Sequence, residues 1–346
     1  METKHKIIFN DSRDMRYISN DSIDLIVTSP PYPMIEMWDD LFITQNPKIK
    51  EVLSSQNGIL AFNLMHEELN KVWSECYRVL KKGGYACINI GDATRTLGGE
   101  FQLYPSHAKI LSFCSDIGFH SLPGIIWKKQ TNSPAKFMGS GMLPTGAYVT
   151  LEYEHILVLR KSGKRKFKTE EEKKNRQKSA IFWEERNQWF SDLWQDLKGN
   201  RQSLHSEDLR ARSAAYPLEL STRLINMFSV QGDLVLDPYL GTGTTLLSAI
   251  ASGRNSVGIE LNESFGGHIT QRITDNSDVL KNYSPLRLQS HFDFVQQREN
   301  DGKTLKYINT NYSTPVVTKQ EINLTLPTVL NIHTENDCLH TATYLD

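Results

Sequence analysis

The sequence predicts an α/β fold: a doubly wound, mostly parallel sheet with helices on both faces. Three observations predict it. Strand-like apolar runs alternate with amphipathic helical stretches along most of the 346 residues. Two of the runs, Asp24-Leu25-Ile26-Val27 and Leu234-Val235-Leu236, are nearly continuous, as strands buried on both faces are. Each leads at once into a turn built for a ligand, Thr28-Ser29-Pro30-Pro31-Tyr32 after the first and Asp237-Pro238-Tyr239-Leu240-Gly241-Thr242-Gly243-Thr244-Thr245 after the second.

In chain order, Lys6-Ile7-Ile8-Phe9 is strand-like and ends at Asn10-Asp11. The next strand runs into two prolines, so the backbone leaves it stiff and extended, with carbonyls and the Ser29 hydroxyl projecting into a pocket beside the Tyr32 ring. Acceptors held beside a stacking ring suit an exocyclic amino group on a flat base. Such an amine is a poor nucleophile because its lone pair is delocalised. Acceptors from Ser29 and Pro30 would draw it toward a tetrahedral geometry, a preorganised effect of ~3–4 kcal/mol per group. Tyr32 would add ~1–3 kcal/mol by stacking. Read blandly, the same residues are a strand and a Pro-Pro turn whose tyrosine merely packs. Pro33 to Asp40 is either a lid over the pocket or a surface loop with Trp38 tucked in.

A helical pattern covers about Leu64 to Leu80, with Leu69, Val72, Trp73 and Cys76 on one face and Gly83-Gly84 as its stop. Tyr85–Ile90 reads as a strand, Ser106–Ile117 as a helix ended by Gly118, and Gly124–Trp127 and Glu154–Leu159 as strands. His155 is an ordinary strand residue unless a partner appears. At Arg160 the composition shifts. Residues 160–178 carry ten Lys or Arg against three Glu, and Trp183, Trp189, Phe190 and Trp194 follow. The tract either binds phosphates, within a Debye length of ~8 Å, or is a solvated charged face.

The second motif reads strand, glycine loop, helix. Gly241 and Gly243 let the backbone approach a ligand, and the helix N-terminus at Thr244 offers free N–H donors. The lysine of a phosphate-cradling loop is missing, and the third glycine of a dinucleotide fingerprint would fall at Leu246. What remains suits a ligand with a nucleoside and a carboxylate but no phosphates, such as S-adenosylmethionine. Glu260, ending the next apolar run, is placed to accept from ribose hydroxyls.

Thr-Ser-Pro-Pro-Tyr early and Asp-Pro-Tyr-Leu-Gly-Thr-Gly-Thr-Thr late resemble the amino-methylating DNA methyltransferases of restriction–modification systems, in the order of their circularly permuted beta group. The resemblance covers roughly residues 5 to 275 and implies a Rossmann-like methyltransferase fold. It implies catalysis by Ser29, Pro30, Pro31 and Tyr32. The S-adenosyl-L-methionine site it implies is Asp11, Tyr216, Asp237, Pro238, Tyr239, Gly241, Gly243, Thr244 and Glu260, with Ala214-Ala215-Tyr216-Pro217 bordering the methionine end. Serine ahead of Pro-Pro-Tyr is typical of cytosine N4 methylation and aspartate of adenine N6, so Ser29 favours cytosine. Double-stranded DNA is the implied substrate, a cognate restriction endonuclease the functional partner, and the cytoplasmic nucleoid the location. Residues 160–212 occupy the place of the family's target-recognition region, which makes Lys164, Arg165, Lys166, Lys168, Arg210 and Arg212 the DNA-binding candidates. The division expected is 1–159 and 213–275 as two halves of one catalytic domain, 160–212 as an insert, and 276–346 as an extension. An RNA or protein-amide methyltransferase and a non-catalytic nucleic-acid-binding protein are the readings set against this one.

Composition decides less. The net charge of −1 carries no global basic signature, and no run is long enough to span a membrane. Cys76, Cys87, Cys114 and Cys338 lack CxxC spacing, so neither a zinc site nor a disulfide framework is indicated, and none follows proline as a carbon-5 methylating thiolate would. No metal is expected. Beyond residue 276 the chain is rich in Thr and Asn with short β-prone runs, which fit an edge sheet, an oligomer contact or a further DNA contact equally well.

Overall fold

The computed structural model describes residues 1–129, 138–198 and 216–345. Its main sheet is built from β1 (Glu2–Phe9), β2 (Ile23–Thr28), β3 (Leu80–Ile90), β4 (Phe119–Lys128), β5 (Tyr153–Lys161), β6 (Leu193–Trp194), β7 (Leu234–Asp237), β8 (Asn255–Glu260), β9 (Val329–Asn336) and β10 (Leu339–Tyr344). They lie in the order β6-β4-β5-β3-β2-β7-β8-β1-β10-β9. From β3 to β1 every pair is parallel. Only β5 and β10 run against the rest, each inserted antiparallel beside its neighbours. The mostly parallel sheet expected from the alternation is therefore present.

Both faces are covered. Along β2, Ile26 enters a core with α3 (Gly58–Val79) and α4 (Ser106–Asp116). Its neighbours Leu25 and Val27 enter the opposite core, with Leu220, Leu224 and Ile225 of α7 (Leu218–Phe228; α5 and α6 are given below). That two-sided burial explains why the strand is apolar without a break.

The α3 boundaries differ from the sequence expectation. The helix starts at Gly58, where the Asn57 side chain accepts from Leu60 N–H at 3.1 Å, and ends at Val79. Gly83 and Gly84 do not stop it; they lie inside β3. The register moves from Ile23 opposite Leu80 to Leu25 opposite Tyr85, so three extra residues bulge out of β3 at the glycine pair.

The region after Arg160 is less separate than its composition suggests. Leu193-Trp194 joins the sheet beside Ile126-Trp127, and Trp194 and Trp127 are buried in one core cluster. Here α5 (Glu170–Lys178) and α6 (Trp183–Trp189) pack against the C-terminal part of the chain. Arg287 of α10 (Ser277–Asn300, directly after α9, Phe265–Asp275) grips Glu185 with bonds of 2.6 and 2.8 Å, and the His291 ring stacks on Phe182 at 3.9 Å. The last residues form the β9–β10 hairpin on the edge of the sheet, one of the three roles open for that segment. No helix among the described residues is long and apolar enough to cross a membrane.

Two buried histidines make the fold acid-sensitive. His5 bonds Thr3 and Ser256 hydroxyls at 2.8 and 2.9 Å, and burial, with repulsion from His340, lowers its pKa to about 3. Burial, with Lys109 nearby, lowers His66 to about 3 as well. Folded values lie below the unfolded one, so the unfolded chain binds more protons below pH 6.5. Stability from each is full above pH 6.5 and is lost as pH falls toward 3. By linkage each histidine removes about 2 kcal/mol at pH 5. Urea midpoints at pH 7 and 5 check this, and equal midpoints would refute it.

Candidate active site

The C-terminal ends of β1, β2, β7 and β8 open on one cleft of about 340 Å³. Asp11 comes from the end of β1, Ser29, Pro30 and Pro31 from β2, the glycine loop from β7 and Glu260 from β8. Met37, Trp38 and Asp40 line it as well, with Leu41, Thr44 and Gln45 of α1 (Asp39–Gln45). The segment after Pro33 is thus a short helical wall, pinned by the fully buried Phe42, with Trp38 packed against the core. Tyr216, Asp237, Pro238, Tyr239 and Thr244 complete the expected residues on the lining; Tyr32 and Gly243 are not on it.

Asp237 ties the two motifs together. Its Oδ1 accepts from the Thr28 hydroxyl at 2.6 Å and from Tyr239 N–H at 3.0 Å; its Oδ2 accepts from Thr245 at 2.5 Å and Tyr216 at 3.4 Å. Burial pushes its pKa up, against these four donors. A carboxylate so committed positions the turn, the loop and the first turn of α8 (Thr244–Ala251) at the wall of the cleft. Gly243 has φ +84° just ahead of that helix, and a Cβ there would meet Ile269 Cγ2 at 2.9 Å. Its role is steric.

Glu260 braces the same loop from the next strand. Oε2 accepts from Gly241 N–H and Oε1 from Asn262 N–H, both at 2.9 Å. Each oxygen keeps a lone pair for a ligand. Burial raises its pKa, opposed by those backbone donors. Asp11 is held by Arg13 through bonds of 2.6 to 3.1 Å. Burial raises the Asp11 carboxyl, but the Arg13 bonds and charge outweigh it and keep it below the usual range. Arg13 in turn reaches Glu68 of α3 at 2.6 Å, a partner 55 residues away that the sequence does not disclose.

Ser29 Oγ lies 3.1 Å from the Tyr32 hydroxyl. Asn89, at the end of β3, donates to that hydroxyl at 3.0 Å and to Glu154 Oε2 at 2.6 Å, and Lys129 pairs with the other Glu154 oxygen. The Tyr32 hydroxyl can donate to Glu154 and accept from Ser29, which leaves the Ser29 oxygen its lone pairs for the cleft. The Tyr32 ring rests on Gly91, where an added Cβ would come within 2.9 Å of ring Cε2. Gly91→Ala should therefore tilt the ring and cut turnover about tenfold or more, as displaced positioning groups do, with unchanged cofactor affinity; wild-type rates would exclude the contact. Asn89, Gly91 and Glu154 went unseen in the sequence reading, although a strand ending in Asn-Ile-Gly-Asp beside the Pro-Pro-Tyr strand is the signal for the first two. Just beyond, Asp92 accepts the His107 ring and backbone N–H at 2.7 and 3.1 Å, with the His155 ring stacked on His107.

The basic candidates fall elsewhere. Arg165 grips Asp233 with bonds of 2.6 and 3.0 Å and lies 3.6 Å from Asp24, at the N-terminal ends of β7 and β2. The cleft is at the other ends of those strands, roughly 16 Å away at about 3.3 Å per residue. Lys164, Lys166 and Lys168 flank Arg165 and are exposed at that opposite edge. The tract from 164 to 168 therefore does not border the cleft. Its arginine neutralises buried acids instead. Arg210 and Arg212 lie outside the described residues. The thiols of Cys76, Cys87 and Cys114 are buried, which pushes each upward in pKa and away from thiolate chemistry.

A mostly parallel sheet ending in a glycine loop, with an acid on the adjacent strand and a rigid Ser-Pro-Pro-Tyr turn in the same cleft, defines a methyltransferase. The chain belongs to the DNA methylase family, whose model matches residues 23–270. It is 54% identical to the type II methyltransferase M.MthZI of Methanothermobacter thermautotrophicus, over 94% of this chain and 91% of that protein. It is 49% identical to the type II methyltransferase M.MjaI of Methanocaldococcus jannaschii, over 78% of this chain and 91% of the other. Among solved structures it resembles TTHA0409 of Thermus thermophilus, in complex with S-adenosyl-L-methionine. The TM-score is 0.61 at 31% identity, covering 78% of this chain and 93% of that one.

Proposed function

We propose that this DNA methyltransferase modifies the N4 amino group of cytosine within a specific duplex site and so protects that site from a partner endonuclease. The methyl donor is S-adenosylmethionine, which when bound supplies an electrophilic methyl group. The observation that carries the reading is Ser29. It opens the Pro-Pro-Tyr turn, lines the cleft, and is steadied by Tyr32 at 3.1 Å.

The residues divide the work by chemistry. Glu260 has lone pairs for ribose hydroxyls, and the first-turn N–H groups of α8 can meet a carboxylate. Asp11, kept ionised by Arg13, stands across the cleft as a further acceptor. Ser29 Oγ and the Pro30 carbonyl would accept the amine hydrogens, freeing the nitrogen lone pair as the new N–C bond forms at the expense of the donor's sulfonium–methyl bond, and the surplus amine proton would pass along the Ser29 hydrogen bond to water. Tyr32, anchored by Asn89, braces Ser29 from behind. The cytosine must leave the stack to reach these groups.

The experiment is direct. Mixed-sequence DNA is incubated with the purified chain and labelled S-adenosylmethionine, then digested to nucleosides. Label in N4-methyldeoxycytidine is expected; label in N6-methyldeoxyadenosine alone would overturn the cytosine assignment and leave the methyltransferase standing. Mapping modified bases in a genome expressing the chain gives the target site.

A further inference from the structure

The glycine loop rests on a cation that no acid answers. Arg272 belongs to α9, whose Ile269, one turn earlier, packs against Gly243. From behind the loop its Nη1 donates to the Thr242 carbonyl at 2.6 Å, to the Thr242 hydroxyl at 2.7 Å and to the Thr244 hydroxyl at 3.2 Å. Among the described residues no carboxylate pairs with it, and burial alone lowers its pKa with no negative neighbour to raise it. Arg13, Arg165, Arg223 and Arg287, by contrast, each grip an acid. A guanidinium held partly out of water without a counter-charge is stabilised by an anion that arrives later.

The cleft has a place for one. Thr242 and Thr244 line it and are 3% and 4% exposed. The Thr244 oxygen accepts from Arg272, so its own hydrogen is left to donate, and among the described residues nothing takes it. Around them the ionisable lining consists of four acids, Asp11, Asp40, Asp237 and Glu260, and one arginine, Arg13, which Asp11 and Glu68 already hold. Such walls suit the sulfonium and amino groups of S-adenosylmethionine and repel its carboxylate. That repulsion is offset where positive charge stands behind the wall, at Arg272 and at the first turn of α8.

We propose that Arg272 is a positioning residue that selects the cofactor's carboxylate, acting through the Thr244 hydroxyl and the glycine loop rather than by contact. This rests on the reading of the cleft as the S-adenosylmethionine site. The charge of Arg272 turns the Thr244 hydrogen away from itself and makes one end of an otherwise acidic cleft accept an anion. The loop thereby tells a nucleoside that carries an amino acid from the same nucleoside without the carboxyl group.

The test titrates two ligands calorimetrically: S-adenosylmethionine and its decarboxylated analogue, which keeps the nucleoside, the sulfonium and the amine. Arg272→Gln keeps a donor and drops the charge; Arg272→Lys keeps the charge; Thr244→Val removes the hydroxyl and leaves Arg272 in place. Arg272→Gln should bind S-adenosylmethionine about tenfold or more weakly and lose no more than about threefold on the analogue. Arg272→Lys should regain most of that affinity. Thr244→Val should show the same selective loss, about fivefold, and the two changes together should cost less than the product of their separate effects. Equal losses on both ligands make Arg272 a brace of the loop and overturn the proposal. So does wild-type affinity for S-adenosylmethionine in Arg272→Gln. Should that variant not fold, Thr244→Val decides alone, and wild-type binding of both ligands by it overturns the proposal. If wild type binds neither ligand, the reading of the cleft falls first; if it binds both alike, only the role of Arg272 falls.

Discussion

With Ser29 replaced by alanine, turnover falls by about two to three orders of magnitude, the effect of deleting one preorganised acceptor at a developing charge. Affinity for S-adenosylmethionine stays within about threefold. The split follows from the geometry: Ser29 contacts Tyr32 and the cleft, whereas the loop that would hold the cofactor is braced by Glu260 and Asp237. The side chain is small and only half-buried, so the thermal midpoint should not move. Single-turnover transfer of labelled methyl, with calorimetric titration of the cofactor, separates the two quantities. A variant that methylates at the wild-type rate removes the serine from the chemistry.

Asp237→Ala is expected to act on everything at once. It strips four donors of their acceptor in a site that is 3% exposed. Thr245 and Tyr216 can turn toward each other, as they already touch, but Thr28 and Tyr239 N–H have no such neighbour. At about 1–3 kcal/mol for each buried group left unpaired, the loss is about 3 kcal/mol or more. At about 2–4 °C per kcal/mol for a chain of this size, the thermal midpoint drops roughly 6–12 °C. Cofactor affinity falls too, because the loop and the first turn of α8 lose their common tether. Asp237→Asn keeps an acceptor for Thr28 and Tyr239 and should lose less than half as much. Equal midpoints for wild type and the alanine variant would show that the tether is redundant.

What the sequence disclosed and what it hid follow one physical rule. Ser29, Gly241 and Glu260 were legible because each sits where a buried strand ends, and strand ends are marked by local composition. The sheet was legible for the same reason. The tether that Asp237 makes to Thr28 stayed hidden because that partner lies 209 residues away. Arg165 looked like a phosphate contact because Asp233 and Asp24 do not adjoin it in sequence. A charge run shows how many charges a segment has, not which are already spent. Asn89 and Glu154 stayed hidden because they matter only through each other and Tyr32, on three different strands or turns.

The pairing of β1 also governs how this molecule is made. Residues 5 and 256 face each other across the sheet, 251 positions apart, and on the other side Thr3 meets Ala342. At about 5–20 residues per second, β1 waits roughly 12–50 s after its own synthesis before its partner β8 exists. During that time both of its edges are open to any other nascent chain. Glu2, Lys4 and Lys6, alternating with Thr3, His5 and Ile7, keep one face charged through the wait. Loss of those charges would show first as aggregates during expression, in a protein whose finished form is unaltered.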